Sequence, residues 1–254
     1  MTYLSLRRTV YASLVALGLT AVLPDKAAAQ QEAAKAFLLK AQQAYREAAY
    51  LGFRVKYVYT NAGEGAMAMD SLSGEMQLDK GRCRILMDGT ETLVTGKYVI
   101  QVMEDDKAIY LSAAGKATPM DPTQLLDSAF KQLAGVQAAL SSEGSWKVLT
   151  LRFPPGKMYT YIRMVMDPGT GYLLQMSYGI HTASLVEGDQ IDRPGHPAPY
   201  RKEGHIDMFL SNYEHGRFGD GLFDEKNFFT RVSGQIEPAA RYREYHIFLA
   251  SSNL

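Results

Sequence analysis

The sequence predicts an α+β fold that is mainly β, and three observations carry that prediction. Segments that alternate apolar and polar residues recur through most of the chain. Clusters of Gly, Asp, Asn, Lys and Pro separate them at intervals too short for helices. Only two stretches beyond the N-terminus keep helical spacing. So many short strands form a large antiparallel sheet that does not stay flat.

The N-terminus is expected to direct export. Arg7 and Arg8 precede an uncharged run from Thr9 to Leu23, and Ala27-Ala28-Ala29 then supplies the small residues that signal peptidase requires. Cleavage after Ala29 leaves residues 30–254 as a single domain. The apolar run is shorter than the ~20 residues of a membrane-spanning helix. Nor does a cysteine follow the cleavage site to carry a lipid, so the mature chain is expected in the periplasm without an anchor. No later segment is apolar enough to span a bilayer.

Without residues 1–29 the chain keeps 24 basic and 26 acidic side chains. That balance argues against nucleic acid as a partner and against a polybasic membrane patch. Cys83 is the only cysteine, so no intramolecular disulfide is possible. It alternates with Ile85 and Met87 and is expected to be a buried structural thiol.

In chain order, Glu32 to Tyr50 is expected to be an amphipathic helix, with Phe37, Ala41, Ala44 and Ala48 at helical spacing. The period then becomes two. Phe53, Val55, Tyr57 and Tyr59 share one face, opposite Arg54 and Lys56. From Met67 to Ser112 a meander of hairpins is expected, turning at Asp79-Lys80-Gly81, Asp88-Gly89, Thr95-Gly96-Lys97 and Asp105-Asp106-Lys107. Pro122 opens a second helix that carries Leu125, Leu126, Ala129, Phe130 and Leu133 and ends near Leu140. Strands follow at Trp146 to Phe153, Tyr159 to Met166 and Tyr172 to Ile180. The last is read with Tyr172, Leu174, Met176 and Tyr178 on one face. Residues 187–200 read as an exposed loop; Ile206, Met208 and Leu210 mark another strand, and Tyr242 to Leu249 the last.

Catalytic patterns fail one by one. There is no G-x-S-x-G elbow, P-loop or G-x-G-x-x-G. His181, His196, His205, His215 and His246 show no zinc-binding spacing. Glu187, Asp189 and Asp192 lack the spacing of a calcium loop. The expectation is therefore a protein with no cofactor, no metal and no catalytic residue.

The layout resembles the LolA-like outer-membrane lipoprotein carriers and their relatives in the bacterial envelope. The small-residue turn Leu72-Ser73-Gly74-Glu75-Met76, the hairpin Thr95-Gly96-Lys97-Tyr98-Val99 and the mid-chain helix come in the family's order. So do Asp167-Pro168-Gly169-Thr170-Gly171-Tyr172-Leu173, Phe209-Leu210-Ser211-Asn212-Tyr213 and Phe223. Lys80-Gly81-Arg82-Cys83-Arg84 replaces the family's proline-rich junction, and the segment from Tyr213 to Leu254 is longer and more aromatic than usual. The resemblance implies a strongly curved antiparallel sheet, an unclosed barrel, with helices covering its concave face. It also implies a carrier that shields the acyl chains of a lipoprotein or lipid, as in outer-membrane biogenesis, or a non-catalytic envelope scaffold that uses the same fold to hold another protein. The residues expected to line the apolar cavity are Phe53, Val55, Tyr57, Leu126, Phe130, Met164, Met166, Leu174, Met176 and Met208. The twelve methionines suit such a cavity, because thioether chains adapt to varied apolar ligands.

Overall fold

A computed structural model describes residues 23–63, 68–114, 135–219 and 221–250, with side chains from residue 28 onward. Helix α1 spans Leu23–Glu47. It buries Ala34, Phe37, Leu38, Ala41 and Tyr45, which recur every three or four residues and so form one apolar stripe. It stops three residues short of Tyr50, because Tyr50 already pairs with Asp79 as the first residue of a strand.

Strand β1 (Tyr50–Asn61) starts a meander through β2 (Ala68–Asp79), β3 (Arg82–Met87), β4 (Thr90–Val94), β5 (Tyr98–Met103) and β6 (Ala108–Ala113). Each expected turn falls between two of these strands. At Asp88-Gly89 both turn residues have positive φ, 37° and 73°, as a two-residue hairpin with right-handed strand twist requires.

The chain re-enters as β7 (Gln137–Glu143), β8 (Trp146–Arg152), β9 (Tyr159–Met166), β10 (Leu173–His181) and β11 (Glu203–Glu214). Strand β11 pairs with the free side of β1. A small ribbon of β12 (Phe229–Val232) and β13 (Gln235–Pro238) precedes β14 (His246–Leu249). Strand β14 returns to run parallel to β6. Among the described residues the main sheet has twelve strands, with β14 at one edge and β7 at the other. It is curved and not closed into a barrel.

Two expectations need correction. The second helix does not reach Leu140. Gly135 adopts φ 79°, and from Gln137 the chain pairs with β8, placing Ala138 and Leu140 against the core at a period of two. The rest of that helix, including Leu126 and Phe130, lies outside the described residues. The expected alternation in β10 also breaks. Leu173 pairs with Met166 and Gln175 with Val165, so Leu174 is the extra residue of a β-bulge. The core face of β10 is therefore Leu173, Met176 and Tyr178.

Two apolar clusters lie on opposite faces of the sheet. The inner one joins α1 to residues of β1–β3 and β8–β11. The outer one joins Leu93, Ile100, Val102, Ile109 and Leu111 of β4–β6 to Phe223, Phe228, Phe229 and Tyr242. Leu93 serves the outer cluster and its neighbour Val94 the inner, as successive residues of a strand must. The aromatic C-terminal segment is thus a strap across the outer face. Arg241 closes it by stacking over Phe228 and Tyr242, at 4.9 and 4.4 Å from the ring centroids.

Candidate functional site

Registers across the sheet place side chains of the inner face in rows. One row reads Leu149, Met164, Met176, Met208, Tyr57 and Leu72, each directly paired with the next. The next reads Leu151, Ile162, Tyr178, Ile206, Tyr59 and Asp70. The first four members of the first row are 0 to 3 % exposed. Tyr57 is half-buried, and Leu72 is 43 % exposed. Along this row the inner face is therefore sealed at β8–β11 and opens toward β2.

At the open end lies a cleft of about 360 Å³. Tyr57, Tyr59 and Ile206 form its floor, and Asp70, Ser71 and Leu72 of β2 its first wall. The opposite wall comes from the segment after β10, with Thr182, Leu185, Val186 and Tyr200. Leu185, 48 % exposed, faces solvent at this mouth as Leu72 does.

Hydrogen bonds hold that second wall in place. The Tyr59 hydroxyl lies 3.0 Å from Thr182 Oγ1, a buried pair. Asn61 donates from Nδ2 to the Pro199 carbonyl at 3.0 Å and accepts the Arg201 amide on Oδ1 at 2.9 Å. The Tyr59 and Tyr200 rings meet edge to face at 5.6 Å. Gly204 makes this arrangement possible, because a Cβ there would stand 2.4 Å from the Tyr59 hydroxyl oxygen. Glycine in a strand interior marks such a close approach.

Electrostatically the cleft is quiet. Burial pushes the Tyr57 hydroxyl above the usual tyrosine range. In the adjacent row burial, followed by Tyr57 and Tyr159, does the same to Tyr178. Both stay protonated at neutral pH. Among the described residues that line the cleft, Asp70 supplies the only carboxylate, and it accepts the Ser71 amide at 2.7 Å. Such a surface can take apolar groups and hydrogen-bond to a neutral or weakly charged one.

Beside the cleft lies a more open depression of about 680 Å³, lined by Ala62, Asp192, Arg193, Pro194, Arg201, Lys202 and Glu203. The Thr182 amide donates to the Lys202 carbonyl at 2.9 Å and ties the two hollows together.

The ten residues expected to line a cavity separate into groups. Phe53, Val55, Met164, Met166, Met176 and Met208 belong to the sealed inner cluster with α1. Tyr57 packs against that cluster and also borders the cleft. Leu174 is the bulge residue, and Leu126 and Phe130 lie outside the described residues. The sequence reading missed Thr182, Leu185, Val186 and Tyr200, which fell in or next to a segment read only as a loop. The apolar pair Leu185-Val186, just before a Gly/Asp/Pro-rich stretch, was the available signal.

It also missed a tyrosine latch at the other end of α1. Tyr213 donates to the Leu173 carbonyl at 2.7 Å and lies 2.6 Å from the Tyr45 hydroxyl, which accepts the Leu173 amide at 3.3 Å. Tyr172 stacks on Tyr213 with centroids 4.6 Å apart. The latch fastens the helix to the β10 bulge.

The acidic and histidine candidates do not converge. Asp192 pairs with Arg201, His205 meets Tyr161 at 3.2 Å, and His215 rests against the Tyr172 ring. Among the described residues no three His, Cys, Asp or Glu side chains are grouped to hold a metal, and no helix is long and apolar enough to cross a membrane. Cys83 is buried, as expected.

No family model matches the chain, and no curated protein matches it either. Several solved structures are similar. An uncharacterized conserved protein from Thermus thermophilus shares 10 % identity over 85 % of this chain and 99 % of its own, with a TM-score of 0.47. The lipoprotein LppX of Mycobacterium tuberculosis shares 15 % identity over 74 % of this chain and 99 % of its own, with a TM-score of 0.39. A LolA superfamily protein of Nitrosomonas europaea shares 11 % identity over 77 % of this chain and 99 % of its own, with a TM-score of 0.34.

Proposed function

We propose that this is an exported, non-catalytic binding protein that shields acyl chains of a lipid or lipoprotein and carries them through the periplasm. The observation that carries the reading is the cleft at the open end of the inner face. Its floor and mouth are apolar, and burial pushes the Tyr57 hydroxyl above the usual tyrosine range. Each CH₂ moved from water into such a site contributes roughly 0.8 kcal/mol, so a short stretch of chain suffices for binding without any ionic contact. Tyr57 is the contact shared by the cleft and the inner cluster. Phe53, Val55, Met164, Met166, Met176 and Met208 would meet a ligand only if α1 moved away from the sheet.

Export is part of the proposal. Among the described side chains of α1 the first buried to 0 % is Ala34, and Gln30 accepts the Leu140 amide at 2.8 Å. Cleavage after Ala29 therefore removes none of these contacts, and mass determination of the protein from periplasmic extract should give Gln30 as the first residue.

Native mass spectrometry of that material tests the carrier role. A co-purifying lipid mass, released by organic solvent, is the expected result. Ligand-free protein that also fails to take up a fluorescent acyl probe would leave the scaffold as the surviving reading. One observation favours that second reading, namely that the methionine row is buried in one cluster with α1.

A further inference from the structure

We infer that the cleft accepts one acyl chain per protein, and that its preferred ligand is a single-chain amphiphile with a head carrying both a phosphate and an ammonium group. This rests on the acyl-binding reading above. The apolar volume of about 360 Å³ is near the lower limit of small-molecule sites, which span ~300 to 1,000 Å³. It does not continue into the core. Behind Tyr57 in the same row stand Met208, Met176 and Met164, each buried against its neighbours. Tyr57, Tyr59 and Ile206 beneath, with Leu72 on one side and Leu185 and Val186 on the other, border the slot, whose volume is that of about one acyl chain.

The head is assigned by what adjoins the slot. The neighbouring depression is larger, about 680 Å³, and its lining carries both signs of charge. Asp192 pairs with Arg201, and Arg193 donates to the Gly188 carbonyl. Lys202 is exposed and is bonded to the cleft wall through its own carbonyl. Its ammonium group can meet a phosphate, while Asp70 at the cleft can meet an ammonium. A free fatty acid offers only a carboxylate, which Asp70 repels.

Displacement of a fluorescent single-chain fatty-acid analogue from the mature protein tests this. Competitors are lysophosphatidylcholine, a short-chain diacyl phosphatidylcholine with the same total number of chain carbons, and palmitate, all below their micellar concentrations. The lyso lipid should displace the analogue at a concentration at least tenfold below that needed for either of the others. Lys202→Glu should erase its advantage over palmitate, and an advantage that survives this substitution overturns the assignment of the head to the Lys202 side. Equal potency of the diacyl lipid overturns the single-chain assignment, and equal potency of palmitate overturns the head-group assignment; in both cases acyl binding itself stands. Failure of the analogue to bind at all removes the acyl-binding reading and this inference with it.

Discussion

The two ends of one cross-strand row behave differently although they share a face of the same sheet. Leu149, Met164, Met176 and Met208 are sealed beneath the inner cluster, whereas Tyr57 and Leu72, next in the row, border a cleft. Sequence type does not explain the contrast, since both ends are apolar. What differs is the cover. Helix α1 packs on the inner cluster, while the opposite wall at β1–β2 is a short segment held by the side chains of Tyr59 and Asn61. A continuous apolar surface thus becomes core where it packs with a helix and a cleft where a hydrogen-bonded segment borders it.

Substitutions at the two ends should separate these roles. The largest loss of stability is expected at the sealed end. Met164→Ala removes a fully buried side chain and should cost about 2–5 kcal/mol in chemical denaturation, with the cleft itself unchanged. A loss under about 1 kcal/mol would mean that the row is not close-packed.

Gly204→Ala should come next, at about 1–3 kcal/mol, because its methyl group must push Tyr59 out of the cleft floor. Unlike the methionine change it should also weaken probe binding. Unaltered binding in that variant would show that Tyr59 does not shape the site.

The latch gives a comparable effect with a pH signature. Tyr213→Phe removes a buried donor and should cost about 1–3 kcal/mol, read as a shift in denaturation midpoint. Burial, then Tyr45, raises the Tyr213 pKa above its ordinary value, so the folded state holds its proton longer than the unfolded one. Its stabilising contribution is complete below about pH 10 and falls above it by up to ~1.4 kcal/mol per pH unit. The variant should lose stability less steeply between about pH 10 and 11. Parallel profiles for the two proteins would argue against the latch as drawn.

Much of the sheet was legible in the sequence because its information is local. Asp88-Gly89 and Asp79-Lys80-Gly81 specify tight turns by their own backbone preferences, and the alternation of Phe53, Val55 and Tyr57 specifies a one-sided strand. Features set by partners far away in the chain were not legible. The bulge at Leu174 exists because Tyr45 and Tyr213 hold Leu173 from both sides, over separations of 128 and 40 residues. Strand β7 carries Ala138, Ala139 and Leu140, which suit a helix equally well, and only pairing with β8 decides. The site shows the same division. The face on which Tyr57 lies follows from its alternation, whereas Leu185 and Tyr200 border the cleft through contacts that Tyr59 and Asn61 make from β1.

The smallest stability change should accompany the largest functional one. Leu185→Asp alters an exposed side chain and should shift stability by no more than about 0.5 kcal/mol. Titration of wild type and this variant with a fluorescent acyl probe is the most direct test of a binding site at the open end of the row. Saturable uptake of one probe per wild-type molecule, abolished in a variant that remains folded, is the predicted result. Equal uptake by the two proteins, or none by either, would contradict it.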